Sequence, residues 1–256
     1  MAIPCRILPH RKASGACNMG LDEALLDSVA AHPESAVLRT YEWDVPTLSL
    51  GYFQSVELAG RDPRWSSKPI LRRATGGGAL WHDREITYAI VVPRSHALAR
   101  RSSDLYQAIH GLLIAMLRGR GVDAVRRADY ETETDATVVS QPGPRPLLCF
   151  LDRDPEDILI DGRKVVGSAQ RRRSGAVLQH GSILLSQSPT TPELPGIKEL
   201  AGIDQVGESL GSAVVEALAA GLEMKAFACE VTGEEQHEAD RLAQDVYRNA
   251  AWTLRR

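Results

Sequence analysis

Arg72-Arg73-Ala74-Thr75-Gly76-Gly77-Gly78-Ala79-Leu80-Trp81-His82-Asp83 is the stretch on which the reading of the fold turns. Three consecutive glycines stand between two strand-like runs, Pro69–Arg73 and Ala79–His82. A backbone without Cβ atoms can approach a ligand closely and offer it free N–H groups. The bland alternative is a flexible hairpin tip. The neighbouring pair Arg72 and Arg73 favours an anionic or polar ligand.

Outward from this segment, strand signals continue on both sides. Upstream lie Cys5–Leu8, Val37–Trp43 and Thr47–Leu50, the last two split by a proline turn. Downstream, Ile86–Val92 precedes a long apolar-periodic run that Ser102 or Ser103 can cap, with Leu105, Ile109, Leu112, Leu113, Met116 and Leu117 inward. Asn18 is a candidate cap for an earlier helix reaching about Ala30. Residues 127–147, with Pro142, Pro144 and Pro146, show no period and read as a loop. Ile158–Ile160 and Lys164–Val166 flank Asp161-Gly162, a strong type I′ hairpin signal. Ala176–His180 and Ser182–Leu185 read as two strands divided at Gly181. Beyond about residue 190 the chain reads as helical: Leu210–Phe227 has the composition, and Thr232 with Glu235 forms a capping box for a helix to Arg248. Strands therefore cluster in 35–185, with helices before, within and after. This is an α+β (mixed α/β) pattern without the regular alternation of a dinucleotide-binding sheet.

Two further segments carry candidate chemistry. In Asp161-Gly162-Arg163-Lys164-Val165-Val166-Gly167-Ser168-Ala169-Gln170, Lys164 lies between apolar residues just past the hairpin. A lysine facing the core is costly unless it meets a partner or a ligand. On spacing alone, an edge-strand lysine in water is the simpler reading; in that reading and in a chemical one alike, a Lys164→Ala variant is expected to keep its fold. In Leu178-Gln179-His180-Gly181-Ser182-Ile183-Leu184-Leu185, a lone histidine in a strand is more often structural than chemical.

Composition limits the remaining options. Hydrophobic residues make up 43% and charged residues 25% of 256 residues, enough for a packed core and unlike a disordered chain. No apolar run approaches the ~18 residues of a membrane span, and Met1–His10 lacks a secretory apolar region. We therefore expect a cytoplasmic protein with no membrane partner. A net charge of −3 gives no overall nucleic-acid footprint. Residues 191–245 hold 12 acidic and 3 basic side chains, a net of −9, leaving the rest at +6 and suited to an acidic partner. The cysteines at 5, 17, 149 and 229 form no C-x-x-C pair, so no zinc site is expected and the thiols should be free.

Taken together, the three segments resemble the biotin/lipoate protein ligase-like superfamily, in its lipoate-protein ligase A-like branch. Arg72–Asp83 looks like R-R-x-[TS]-G-G-G-A-x-x-H-D, Lys164–Gln170 like K-x-x-G-S-A-Q, and Gln179–Leu185 like Q-H-G-S-[IL]-L-L. Asn18–Leu25 is similar to the branch's N-M-x-x-D-E-A-L helix, and Pro46–Gln54 to its strand ending in S-[LV]-G-Y-F-Q. The matches run in order across about residues 14–185 and weaken beyond 186. The resemblance implies a central mixed sheet flanked by helices. It also implies one catalytic domain over 1–256 with a helical region from about 190, and an acyl chain held beside the glycine segment. Carried onto this sequence, the implied substrate-binding residues are Arg73, Thr75, Gly76, Gly77, Gly78, His82, Gly167, Ser168, Ala169 and His180. Lys164 would contact the acyl carbonyl. A monomer is expected.

Within the superfamily, Cys149 discriminates. ATP-dependent lipoate ligases form an acyl-adenylate, need ATP and Mg and use no cysteine, and Gly78 fits them as well. A cysteine-dependent octanoyltransferase type places a C-F pair shortly before K-x-x-G-S-A-Q, as Cys149-Phe150 stands before Lys164. Exchange between a thiolate and a thioester is near thermoneutral, so an acyl-enzyme forms without ATP, and transfer to an amine then runs downhill. Lys164 is the cation placed to favour the reacting anions. Cys149 and Lys164 are thus the expected catalytic residues, with no cofactor. The resemblance implies an acyl carrier protein as donor and a lipoyl domain or glycine cleavage H protein as acceptor. Arg72, Arg73 and Arg171–Arg173 are candidates to steer that acceptor. Remaining alternatives are an amidotransferase between carrier proteins and a non-catalytic carrier-binding module.

Overall fold

The computed structural model describes residues 2–133, 146–152, 154–173 and 175–256. The first half runs β1 (Pro4–Ile7), β2 (Arg11–Ala13), α1 (Gly15–Ala31), β3 (Ala36–Trp43), β4 (Thr47–Leu50), α2 (Glu57–Gly60), β5 (Ile70–Arg72), β6 (Leu80–His82), β7 (Glu85–Pro93) and α3 (Ser102–Gly119). There follow β8 (Val125–Arg126), α4 (Arg127–Glu133), a 3₁₀ turn at Cys149–Leu151, β9 (Ile158–Ile160), β10 (Arg163–Arg172) and β11 (Ala176–Leu184). The last part holds α5 (Ile197–Ala201), α6 (Gly207–Gly221), β12 (Lys225–Ala228), α7 (Gly233–Leu242), a π-helical turn at Ala243–Tyr247, and α8 (Ala250–Thr253).

The strands form a mixed sheet in the order β12-β1-β3-β7-β11-β10-β9-β8, with β2 beside β3, and a small sheet β5-β4-β6. Central β7 is buried along its whole length because both faces of the sheet are covered. Its side chains alternate accordingly. Ile86, Tyr88, Ile90 and Val92 pack into the cluster shared with α3 and α6, while Ala89 and Val91 pack into the cluster under α1 and α7. A third cluster, including Leu48, Trp65, Trp81, Leu148 and Phe150, underlies the small sheet and the cysteine turn.

Most expected strands appear within a residue or two of their bounds. Asp161 (φ 47°) and Gly162 (φ 69°) make the type I′ turn joining β9 to β10. Elsewhere tertiary packing overrides the local signal. Ser14, not Asn18, caps α1, its side chain accepting from the Cys17 N–H. Asn18 is buried inside the helix and donates to the carbonyls of Ala13 and Glu42. Neither Ser102 nor Ser103 caps α3, whose cap position is Arg101. The expected break at Gly181 is absent: β11 is continuous, and Gly181 is bare because a Cβ there would lie 2.3 Å from Ser168 Oγ and 2.6 Å from the Tyr88 ring. The expected loop 127–147 opens with α4, and its residues 134–145, Pro142 and Pro144 among them, lie outside the described residues.

The region beyond 190 is not wholly helical. The helix expected over Leu210–Phe227 ends at Gly221, where close approach to Leu112 on α3 leaves no space for a Cβ. Lys225–Ala228 then pair in parallel with β1. The capping box is present, and Glu235 also reaches out of α7. It accepts from both Arg6 nitrogens at 2.6 Å and from Ser28 Oγ at 2.8 Å, tying α7 to β1 and α1. Although burial opposes its charge, these donors and the Thr232 N–H lower the Glu235 carboxyl from 4.5 to about 2. A depressed carboxyl stabilises the fold fully above its ordinary value and loses that contribution as pH falls toward 2. Glu235→Gln should therefore lower the melting temperature at pH 7, with the gap to the unsubstituted protein closing between about pH 4.5 and 2. A gap of equal size across that range in thermal scans would show that the charge is not what holds α7.

Candidate active site

The glycine segment crosses from β5 to β6 over a pair of buried guanidiniums. Arg72 is fully buried and donates to the carbonyls of Gly51, Gln54 and Thr253. Arg73 donates to Ser49 O, Gly76 O and Gly78 O at 2.7–3.0 Å. Arg73 thus shapes the segment and Arg72 the neighbouring loop at 51–54, and neither is a steering surface. Arg173 likewise pairs with Glu23 and Asp27, and Arg172 donates to Ala99 O. Gly77 takes φ 89°, a conformation that favours glycine. A Cβ on Gly78 would lie 3.0 Å from Cys149 Cα and N, so its bareness lets the cysteine turn sit against the segment. Ala79 N–H donates to Leu147 O, and Cys149 N–H to Ala79 O at 2.7 Å.

Lys164, on β10, meets this turn from the other side. Its Nζ lies 3.5 Å from Cys149 Sγ, donates to Cys149 O at 3.1 Å and pairs with Asp157 Oδ1 at 2.8 Å. Gly167 leaves room for it, since a Cβ there would come 2.7 Å from Lys164 Cε. Lys164 is only 7% exposed, so it is not the edge-strand lysine in water. Burial works against its charge, yet Cys149 and Asp157 together raise it above the ordinary lysine value. The ammonium therefore persists at neutral pH. Cys149 is half-buried, whereas fully buried Cys5 is pushed up to about 12 by desolvation and is inert as a nucleophile.

Two cavities meet at the cysteine. One is lined mainly by apolar atoms and includes Met19, Tyr41, Leu80 and Gly181. The other is a polar cleft that includes Tyr106, His110, Asp154, Glu156, Lys164 and Arg172. Gly77, Cys149, Ser168 and Ala169 line both. Arg73, His82, Gly167 and His180 face the apolar cavity, and Gly76, Gly78 and Asp157 face the cleft. Thr75 stands behind the wall, with its Oγ1 2.8 Å from His180 Nε2.

Both histidines expected at the site are held on both nitrogens. His180 Nδ1 lies 2.9 Å from Asp22 Oδ2, which also accepts from Tyr41 Oη, while Asp22 Oδ1 is 3.1 Å from Arg39 Nε. Burial opposes the Asp22 charge, but Arg39, His180 and Tyr41 hold the carboxyl below its usual range. His82 stacks on Trp43 at 3.7 Å and bonds Ser49 Oγ and Glu85 Oε1; burial lowers it below the ordinary histidine value. With both ring nitrogens engaged, these histidines build the wall of the apolar cavity.

Sequence reasoning missed Asp157 and His110. Asp157 precedes β9 with no local motif to mark it. His110 lies on the buried face of α3 among apolar residues, a pattern that signals only core. Its Nε2 bonds Ser168 Oγ at 2.7 Å, and Ser168 Oγ also bonds Tyr88 Oη at 2.7 Å.

A family model described as the lipoyl protein ligase A/B catalytic domain matches residues 14–200. The octanoyltransferase LipM of Bacillus cereus is 30% identical over 269 residues, covering 96% of each chain. A crystal structure of lipoate-protein ligase A bound with ATP superposes with a TM-score of 0.76 at 22% identity, covering 98% of this chain and 99% of that one. A bipartite lipoate protein ligase from Thermoplasma acidophilum, solved in a study with its E2 lipoyl domain, gives 0.70 at 20% identity over 98% and 96% of the two chains. The two structural likenesses bear out the expected mixed sheet flanked by helices.

Proposed function

We propose a specific chemistry for a chain that belongs to the lipoyl protein ligase A/B catalytic-domain family: octanoyl transfer through an acyl-enzyme on Cys149. The enzyme moves an octanoyl group from a thioester donor, such as octanoyl-acyl carrier protein, to a lysine of a lipoyl domain or glycine cleavage H protein. This is a step of lipoate assembly. The observation that carries the mechanism is Cys149 Sγ 3.5 Å from a buried ammonium, at the junction of an apolar cavity and a polar cleft.

The acyl chain occupies the apolar cavity beside Met19 and Leu80, which leaves its carbonyl at Cys149. The thiolate attacks that carbonyl, the donor C–S bond breaks, and the donor leaves as a thiol after taking up a proton. The acceptor amine then enters by the cleft and attacks the new thioester. The enzyme's C–S bond breaks as an amide forms, the nitrogen keeps one hydrogen and yields its other protons to solvent, and the Cys149 thiolate returns. Lys164 lies beside both reacting anions, the thiolate and the developing oxyanion, and Asp157 keeps the ammonium in place. The thioester itself supplies the driving force, so no cofactor enters the reaction. Asp154, Glu156 and Asp157 in the cleft lining suit an incoming ammonium better than a triphosphate. Among the described residues no helix is long and apolar enough to cross a membrane. We assign the reaction to the cytoplasm, where a thiol nucleophile stays reduced.

The test is incubation with octanoyl-acyl carrier protein and a lipoyl domain in ATP-free buffer containing a chelator. Intact-mass spectra should show octanoyl first on the enzyme and then on the acceptor. A strict need for ATP and Mg²⁺, with no octanoylated enzyme, would replace this reading with an adenylating ligase.

A further inference from the structure

We propose that the arginine-aromatic surface over residues 51–54 docks the acidic face of the carrier domain that accepts the acyl group. The proposal rests on the transfer reading above. The loop after β4 is built into the site. Tyr52 N–H donates to Thr75 O at 2.8 Å, and a Cβ on Gly51 would lie 1.9 Å from Gly77 O. Gln54 Nε2 donates to Leu147 O at 3.0 Å, two residues before the cysteine. The surface is therefore continuous with both the glycine segment and the nucleophile's turn.

Guanidiniums crowd over this loop. Arg255 lies 4.0 Å from the Tyr52 ring centroid and 3.7 Å from that of Trp252. Arg256 is 5.3 Å from the Phe53 ring, and Arg171 is 5.0 Å from the Tyr52 ring. Arg72 lies beneath, bonded only to backbone carbonyls. Among the described residues, no carboxylate pairs with any of the four. Burial, and after it the charges of Arg255 and Arg256, lowers Arg72 below the ordinary arginine value, a mark of mutual repulsion. An anionic partner would relieve that repulsion.

The composition fits a protein face better than a small anion. Phe53 is 70% and Leu254 58% exposed, and arginine with aromatic rings is the usual make-up of interface anchors. The electrostatics choose the acceptor. Its lysine must enter a cleft lined by Asp154, Glu156 and Asp157, while its surroundings meet Arg171, Arg255 and Arg256. A lysine set among carboxylates matches both signs at once, and such a pattern fixes register as well as encounter rate.

The test separates the two half-reactions with the variant Arg255→Glu/Arg256→Glu and the milder Arg255→Gln/Arg256→Gln. Acylation of Cys149 by a small thioester, octanoyl-N-acetylcysteamine, should be unchanged in both. So should transfer from acyl-enzyme to a small amine, Nα-acetyl-lysine amide. Transfer to a lipoyl domain should fall at least ~10-fold in the Glu variant, less in the Gln variant, and lose its dependence on salt. Unchanged transfer to the lipoyl domain overturns the proposal. So does slowed acylation by octanoyl-acyl carrier protein with normal transfer to the lipoyl domain, which would make this the donor's surface. Loss of the small-molecule reactions would make the arginines supports of the loop and also overturn it. Failure of the unsubstituted enzyme to acylate at all would instead refute the transfer reading.

Discussion

Replacing Cys149 by serine is expected to lower octanoyl transfer by ~10³-fold or more while leaving the fold intact. The exchange is nearly isosteric at a half-buried position, and the backbone bonds of the turn do not use the side chain. What changes is the nucleophile. A hydroxyl ionises so much less readily than a thiol that an ammonium 3.5 Å away does not make up the difference. An oxygen ester would also be a poorer acyl donor to the incoming amine than a thioester. Mass spectra after mixing with octanoyl thioester should show an adduct on the unsubstituted enzyme and none on the serine variant. Full transfer by that variant, or an adduct on Cys17 or Cys229 in its place, would remove Cys149 from the mechanism.

The second large effect belongs to Lys164. Its loss should cost ~10²-fold or more in turnover, because the charge beside the thiolate and the oxyanion is gone. The structure also corrects the expectation that Lys164→Ala keeps its fold. The Lys164 and Asp157 side chains are 3% and 5% exposed and pair at 2.8 Å. Removing Lys164 leaves the buried carboxylate facing Arg127 Nε at 3.9 Å with its close partner gone, at a cost of up to about 3–5 kcal/mol. Adding Asp157→Asn removes the stranded charge, and Asn can still accept from the Asp154 N–H that now bonds Asp157 Oδ2. The double variant should recover most of the lost melting temperature and none of the lost activity. If activity returned together with stability, Lys164 would be a structural residue, with no part in the chemistry.

Much of this was legible because it is local. Asp161-Gly162 announces its turn by the φ values it tolerates, and Thr232 with Glu235 announces a helix start by side chains reaching one turn away. The motif residues flank Cys149 from the β5–β6 connection, β10 and β11, and their sequence spacing let a resemblance stand in for that geometry. The misreadings have a common cause in contacts distant along the chain. Gly181 looks like a strand breaker but is a cut-out for Ser168 and Tyr88 on neighbouring strands. Lys225-Ala-Phe-Ala carries no strong strand signal and is extended because β1 offers it an edge. Arg72 and Arg73 read as ligand-facing cations because sequence cannot tell a guanidinium aimed at solvent from one aimed at three or four backbone carbonyls. Asp157 and His110 acquire meaning only from what folds against them.

The pairing of β1 with β12 also sets an order of events during synthesis. Pro4 finds its partner in Lys225, and Arg72 is satisfied in part by Thr253 O. A nascent chain that has emerged through residue 200 holds every residue of the proposed chemistry. Yet β1 still has an open edge, α1 an uncovered flank, and Arg72 an unmet donor. Contacts this distant in sequence form slowly, because the intervening chain must be ordered before they return anything. The chain through residue 200 thus waits, incompletely closed, for a segment made later, and the interval in which its strand edge is exposed is set by translation rate as much as by the folding of the sheet.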